Sequence, residues 1–204
     1  MTDPPDPIGL FREWSALARR SDIKEPDAAA LATVDPKGKN PSVRMVLVRS
    51  ADEQGFVFYT NLESRKGREL LVHGGKGARS SEGAPAALCF WWPPLEKQVR
   101  VEGRATLVSE AEADAYWGTR ARPSQVAAWA SKQSADLGSR EELEAKFRDL
   151  ASSLPDPVPR PSFWTGFRLT PRLIEFWEGR PHRLHHRVLY VRQGGGWVTK
   201  ILNP

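Results

Sequence analysis

The chain has 204 residues, a formal net charge of +5, 40% hydrophobic residues, eight tryptophans and a single cysteine. That much apolar and aromatic material is enough for a packed core and excludes extended disorder, and a lone cysteine excludes any disulfide within the chain, as expected of a reducing, cytoplasmic setting. No apolar run approaches the length of a membrane-spanning helix, and the acidic, proline-rich start MTDPPDP does not read as a secretion signal.

In chain order, residues 7–20 place Ile8, Phe11, Trp14, Leu17 and Ala18 at helical spacing, the pattern of an amphipathic helix packed on the body. The apolar stretch 28–34 reads as a strand. It ends in Asp35-Pro36-Lys37-Gly38, a turn with proline second and glycine fourth. Residues 43–49 and 55–60 are two more strands, and their short connections indicate an antiparallel meander. Ser64 opens a short helix reaching about Val72, after which residues 73–85, rich in Gly and Ser, read as a mobile surface loop. An apolar strand over 86–92 is broken by Pro93 and Pro94. Residues 98–108 alternate, with Gly103 as a bulge.

Ser109 with Glu112, and Ser139 with Glu142, fit the S-x-x-E capping box and start helices over 110–117 and 140–154. A further helix is expected over 124–131. After the proline-rich connector 155–161 come strands over 164–169, 173–177 and 188–192, and a glycine turn at 194–196 leads to a last strand over 197–202. Seven or eight mostly sequential strands with helices between them imply an α+β fold built on a closed or nearly closed antiparallel β-barrel. It is read as one domain over 1–204, with residues 1–6 flexible.

Several chemistries are excluded by absence: there is no CxxC, HExxH, Walker loop or GxGxxG after a strand. His182, His185 and His186 are interleaved with arginines rather than carboxylates, so no metal is expected. The apolar setting of Cys89 would keep its thiol protonated. What remains binds anions, whether phosphate on a small molecule or on a nucleic acid. Between residues 180 and 187 lie three arginines and three histidines and no acid. Arg65 and Lys66 put two cations in the first turn of a helix, unfavourable by about 0.3–1 kcal/mol each unless a phosphate docks on its amides. Pairing with Glu63 or Glu69 is the equally open alternative.

Arg44 and Arg49 fall on opposite faces of a regular strand. Arg120, Arg122 and Ser124 form a basic loop with a hydroxyl, and Gln98, Gln133 and Ser134 are uncharged groups of the kind that read the edge of a heteroaromatic ring. Together these residues suggest a flat aromatic ligand with a phosphate tail, plus a second anionic molecule.

Five blocks carry a resemblance: RMVLVR (44–49), FVFYTNLESRKGREL (56–70), PPLEKQVRVEG (93–103), WASKQS (129–134) and IEFWEGRPHRLHHR (174–187). In this order they closely resemble the FMN-dependent pyridoxine/pyridoxamine 5′-phosphate oxidases, over about residues 6–204. The resemblance implies a split β-barrel that binds FMN and works as a homodimer, with each flavin held between two subunits. It implies that Arg44, Met45, Val46, Leu47, Tyr59, Thr60, Arg65, Lys66 and Gln98 line the flavin and its phosphate, with Gln133, Ser134, Trp177 and Arg187 completing the site, some of them from the partner chain. Arg49, Tyr116, Arg120 and Ser124 match the contacts to the substrate phosphate, and Arg183 and His185 the catalytic pair over the substrate ring.

The implied reaction passes hydride from C4′ of pyridoxine or pyridoxamine 5′-phosphate to flavin N5, giving pyridoxal 5′-phosphate, while O2 becomes H2O2. Nucleic acid and membrane are not expected as partners. The chain departs from the family at His186, where aspartate is usual, at Arg49, where lysine is usual, and at Ala121 and Pro123. It also begins without the basic N-terminal segment of some members and adds the loop 73–85. An oxidase of a phenazine precursor shares the flavin blocks and is the nearest rival. A basic nucleic-acid-binding module is the rival from another class.

Overall fold

The computed structural model describes residues 6–35, 37–72 and 83–204. Its frame follows from strict alternation along the strands. In β1 (Ala28–Val34), residues 29, 31 and 33 are buried while Ala28, Ala30 and Ala32 face outward. The same two-residue period runs through β2 (Pro41–Asp52), β4 (Ala84–Trp92) and β5 (Lys97–Leu107). With β3 (Gly55–Asn61) and β6 (Trp164–Glu178) they form an antiparallel sheet in the order β3-β2-β1-β4-β5-β6, which pairing of β3 with β6 closes into a six-stranded barrel. Closure pairs the two strands that would otherwise be the barrel's own edges.

The long strand β6 is where the barrel splits. Its first half pairs with β3, from Asn61↔Trp164 to Phe56↔Leu169. Its second half leaves the barrel and pairs with β7 (His186–Gln193), from Leu173↔Val191 to Glu178↔His186, and β8 (Gly196–Ile201) adds the last strand. The expected strands 164–169 and 173–177 are therefore one element of fifteen residues. Pro171, between those two stretches, sits opposite Gly103 at a register shift, where a missing N–H is tolerated. Gly103 is required there, because a Cβ would stand 2.0 Å from the Thr170 carbonyl oxygen.

Helix α1 (Pro7–Arg20) is capped by Asp6, whose carboxylate accepts from Ile8 N and Gly9 N. Phe11 packs against Phe56 and Phe90, each 4.9 Å between centroids, whereas Leu17 of the predicted apolar face is exposed. Helix α2 (Arg65–Val72) packs on β1 and β4 and delivers Leu70 to the core. The serine half of each predicted capping box forms: the Ser109 and Ser139 hydroxyls accept from Glu112 N and Glu142 N at the starts of α3 (Glu110–Gly118) and α5 (Arg140–Ser153). Helix α4 (Arg122–Ala130) begins two residues before its expected start, with Pro123 in its first turn. Arg122 donates to the Pro155, Ala151 and Leu154 carbonyls at the end of α5, a capping role instead of the expected ligand loop.

At the turn after β1, Gly38 takes φ +69° and Gly38 N donates to the Asp35 carbonyl; Pro36 lies outside the described residues, as do residues 1–5 and the greater part of the expected loop 73–85. Ala84 and Pro85 already belong to β4. No helix among the described residues is long and apolar enough to cross a membrane.

Candidate active site

The barrel end under α2 carries a buried acid–base cluster. Alternation turns Thr33 and Ser42 toward this end, and α2 projects Glu69 onto them, only 4% exposed. Its carboxylate accepts from Thr33 Oγ1 at 2.5 Å, Ser42 Oγ at 2.6 Å, Arg44 Nη2 at 3.3 Å and Arg65 Nε at 2.9 Å. Burial works against the charge, but the hydroxyls of Ser42 and Thr33, then Arg65 and Arg44, hold the carboxyl at about 2. Arg44 also donates to the Leu31 carbonyl and Thr33 Oγ1. Glu69 thus fixes two of the predicted phosphate ligands, a link that lies 25 to 36 residues away in sequence from Arg44, Ser42 and Thr33.

Lys66 stands on the next face of α2, buried at 9% exposure, and donates to Gln133 Oε1 at 2.8 Å; Thr60 Oγ1 donates to the same oxygen at 3.3 Å. Burial, and after it the charge of Arg44, pull the Lys66 amine down to about 8. These groups open into a cleft of about 390 Å³ that gathers Met45, Val46, Tyr59, Thr60, Lys66 and Gln133 of the predicted flavin set and, in the same space, Arg120 and Ser124 of the substrate set. Sequence reasoning missed Asn61 and Trp164 on this wall. Leu47 lies on the outward face with Met45, and Ser134 is exposed just beyond the cleft with φ +68°.

The cleft has an aromatic floor. Tyr59 and Tyr116 stack at 3.9 Å and 17°, and Trp164 lies 5.4 Å from Tyr59 at 9°. Gly166 makes room for this, since a Cβ there would meet the Tyr59 ring at 2.8 Å. Burial, with Glu112 and Tyr116 nearby, pushes the Tyr59 phenol up to about 12, so it stays protonated. The Arg120 guanidinium lies 4.8 Å over the Trp164 ring and donates from Nη2 to the Ser124 carbonyl at 2.9 Å. Its Nε is buried and has no hydrogen-bond partner among the described residues. Burial lowers its pKa, Tyr116 opposes, and the charge of Arg49 lowers it further.

Arg49 is exposed on the outward face of β2 with Met45 and Leu47, opposite Arg44 as expected, just where a register shift falls between Val48 and Ser50. Ala121 as N-cap of α4 offers no side-chain acceptor, and the Ser124 and Gln125 amides donate to its carbonyl at 2.9 and 3.2 Å.

The other predicted residues form a second group on β5, β6 and β7. Gln98, Trp177 and Arg187 are register partners across three strands. The His185 ring packs on Trp177 at 4.5 Å. Arg183 is exposed, with φ +62°, directly after His182 at φ +59°. The elbow is not the unneutralised run its local sequence suggested. Arg187 Nε donates to Glu175 at 2.8 Å and Arg180 to Glu178 at 3.0 Å, while Lys97 holds the second oxygen of Glu178. Both acids lie on β6 and so outside the elbow in sequence. Glu175, 3% exposed, also takes Arg100 at 3.1 Å. His186, where an acid was expected, faces Glu178 across the strand pair.

The two groups occupy the same outward face of the barrel but are separated by β1 and β4, about 14 Å of sheet from β2 to β5 at roughly 4.8 Å per strand. Between them runs a strip of Ala28, Ala30, Ala32, Ala87, Cys89 and Trp91, flanked by Val43 at 68% and Met45 at 64% exposure. A contiguous apolar face of this kind marks an interaction surface.

Comparison with known proteins is consistent along the whole chain. The sequence profile described as pyridoxamine 5′-phosphate oxidase matches residues 18–153, and that described as pyridoxine 5′-phosphate oxidase C-terminal dimerisation region matches residues 164–204. Proteins named pyridoxine/pyridoxamine 5′-phosphate oxidase are 53% identical over 201 residues in Anaeromyxobacter dehalogenans (98% of this chain, 96% of that one) and 50% identical over 202 residues in Myxococcus xanthus (98% and 93%). Among solved structures, PhzG from Burkholderia lata in complex with tetrahydrophenazine-1-carboxylic acid superposes with a TM-score of 0.88 at 35% identity, covering 100% of this chain and 95% of that one. A pyridoxamine 5′-phosphate oxidase-related, FMN-binding protein from Nostoc punctiforme superposes with a TM-score of 0.76 at 21% identity, covering 100% of both chains, a likeness of fold.

Proposed function

The chain belongs to the pyridoxine/pyridoxamine 5′-phosphate oxidase family, and from this we propose that it is an FMN-dependent oxidase converting pyridoxine 5′-phosphate and pyridoxamine 5′-phosphate to pyridoxal 5′-phosphate, with O2 reduced to H2O2. The observation that carries the reading is a single cleft with two separate anion seats: the Lys66–Gln133–Thr60 cluster backed by Arg44 and Arg65, and the Arg120 guanidinium with its buried, unpartnered Nε beside Ser124. Two seats suit a cofactor phosphate and a substrate phosphate. The donor set fits FMN, because Lys66 is held below its ordinary range by burial and an arriving phosphate would relieve that cost.

Bound FMN would supply a hydride acceptor for the substrate carbon and a route for electrons to oxygen. The chain's own residues bind and orient. Arg44, Arg65, Lys66, Thr60 and Gln133 hold the cofactor phosphate end, while Met45, Val46 and Leu47 present the outer edge of β2 to the ring. Arg49, Tyr116, Arg120 and Ser124 hold the substrate phosphate.

Gln98, Trp177 and Arg187, with Ser134, complete the flavin site, and Arg183 and His185 cover the substrate ring. Because the strip of β1 and β4 separates the two groups within one chain, we assign them to one active site across a homodimer, in which the apolar outer faces of two copies meet. The dimerisation region at 164–204 supports this arrangement. The catalytic power assigned to the protein is proximity and charge placement.

The rival substrate, a flat carboxylated ring, is favoured by the likeness to PhzG. Steady-state assay separates them: aldehyde and peroxide formed from pyridoxine 5′-phosphate support the proposal, and turnover restricted to a carboxylated ring substrate overturns it.

A further inference from the structure

The basic elbow between β6 and β7 contains a contact that bears on what His185 can do. Two consecutive residues, His182 and Arg183, take left-handed backbone conformations at φ +59° and +62°, which non-glycine residues adopt rarely and at a cost. They fold the chain back on itself, so that the Arg180 amide N–H donates to His185 Nδ1 at 3.2 Å. The donor is held from both sides. Gly179 N donates to the Glu96 carbonyl at 2.8 Å, and the Arg180 side chain is tied to Glu178, which Lys97 also grips at 3.0 Å. The acceptor is held by the Trp177 ring, 4.5 Å away at 41°.

A backbone N–H can only donate, so the nitrogen it meets must present a lone pair. In a neutral imidazole one nitrogen carries the proton and the other accepts, and the partner of one decides the state of the other. We propose that the Arg180 amide fixes neutral His185 as the Nε2–H tautomer, so that it meets the substrate as a hydrogen-bond donor to an acceptor oxygen and not as the base that removes a proton. Arg180 is then a positioning residue acting through its main chain, and the left-handed pair His182-Arg183 is the device that makes the contact. The inference that His185 meets substrate rests on the reading in the preceding section; the tautomer itself does not.

The test uses the FMN-loaded protein with its histidines labelled with ¹⁵N. The chain has four histidines, and the His185 signals are those lost in His185→Gln. At about pH 8.5, where histidine side chains are ordinarily neutral, long-range ¹⁵N–¹H correlation is expected to show His185 Nδ1 as the unprotonated, pyridine-type nitrogen and Nε2 as the protonated one. The opposite pattern overturns the proposal, and no turnover is needed to see it.

A second measurement reads the donor. The glutamine amide nitrogen reaches the Nε2 position, whereas asparagine reaches only Nδ1. Both variants are expected to lose activity, but His185→Asn should raise the KM for pyridoxine 5′-phosphate about tenfold above that of His185→Gln, the weight of one hydrogen bond. Equal KM values in the two variants, or the reverse order, refute the donor role. If wild type does not turn over pyridoxine 5′-phosphate, the functional reading fails while the tautomer assignment stands or falls by NMR alone.

Discussion

Lys66 allows the proposed cofactor phosphate seat to be tested without any substrate. Its amine is only 9% exposed and is pulled from 10.5 to about 8, mainly by burial. A displacement of that size corresponds to about 3 kcal/mol, the cost of keeping the charge in the unliganded cleft. The sign follows from which state holds more protons. Below pH 8 Lys66 is charged in both folded and unfolded chains and the folded apoprotein bears the full cost. Between pH 8 and 10.5 the unfolded chain holds the extra proton, so this group's contribution to apoprotein stability improves with rising pH.

Phosphate binding reverses the preference, because the dianion favours the charged amine. Affinity for FMN should therefore be flat below pH 8 and fall above it, by about tenfold between pH 7 and pH 9. Quenching of flavin fluorescence on titration into apoprotein at pH 7, 8 and 9 gives the slope. Riboflavin, which lacks the phosphate, is the control and should show no slope. Lys66→Gln should bind FMN roughly ten- to hundredfold more weakly at pH 7, as expected for losing a charged hydrogen bond, and should lose the pH dependence. An FMN affinity that does not change between pH 7 and 9, or an equal slope for riboflavin, would refute the reasoning.

Four further outcomes follow. Arg120→Ala should raise KM for pyridoxine 5′-phosphate about ten- to hundredfold, with Arg120→Lys failing to restore it, because the flat guanidinium over Trp164 is what the site uses; full rescue by lysine would contradict this. Glu69→Gln should cost about 3 kcal/mol of stability at neutral pH. Since the Glu69 carboxyl is held at about 2, that advantage of the wild type should shrink as pH falls from 4.5 toward 2, read from urea midpoints at pH 7 and 3. Gly166→Ala should force the Tyr59 ring aside and lower stability by roughly 1–3 kcal/mol, with a changed near-ultraviolet dichroism from the Tyr59–Tyr116 stack. Mixing Arg120→Ala with Arg183→Ala subunits should recover about a quarter of wild-type activity if each site spans two copies of a symmetric dimer, and none if each chain holds a whole site.

Local rules in the sequence reached far into this structure. The serine N-caps of the S-x-x-E motifs at Ser109 and Ser139 form where expected, the bulge at Gly103 sits where glycine interrupts the alternation, and the outward alanines of β1 follow from the two-residue period. What could not be read was non-local. Glu69 looks like a partner for the nearby Arg65, which it is, but its contacts with Thr33 and Ser42 exist only because the barrel brings the ends of β1 and β2 under α2. Arg122 sits in a basic segment and is spent on the end of a helix about thirty residues further on.

The elbow illustrates both sides. Its positive charge was legible, yet its neutralising acids come from the strand before it, and the contact that orients His185 depends on two left-handed residues that no residue preference announces. The separation of the predicted residues into two groups is likewise a property of strand order, visible only once β1 and β4 are seen to lie between them.

The most direct test of the central claim is the absorption spectrum of the purified protein under anaerobic conditions. The proposed oxidase should be yellow, with flavin bands that bleach on addition of pyridoxine 5′-phosphate or pyridoxamine 5′-phosphate and return when oxygen is admitted. A flavin-loaded protein whose spectrum stays unchanged with both compounds would contradict it.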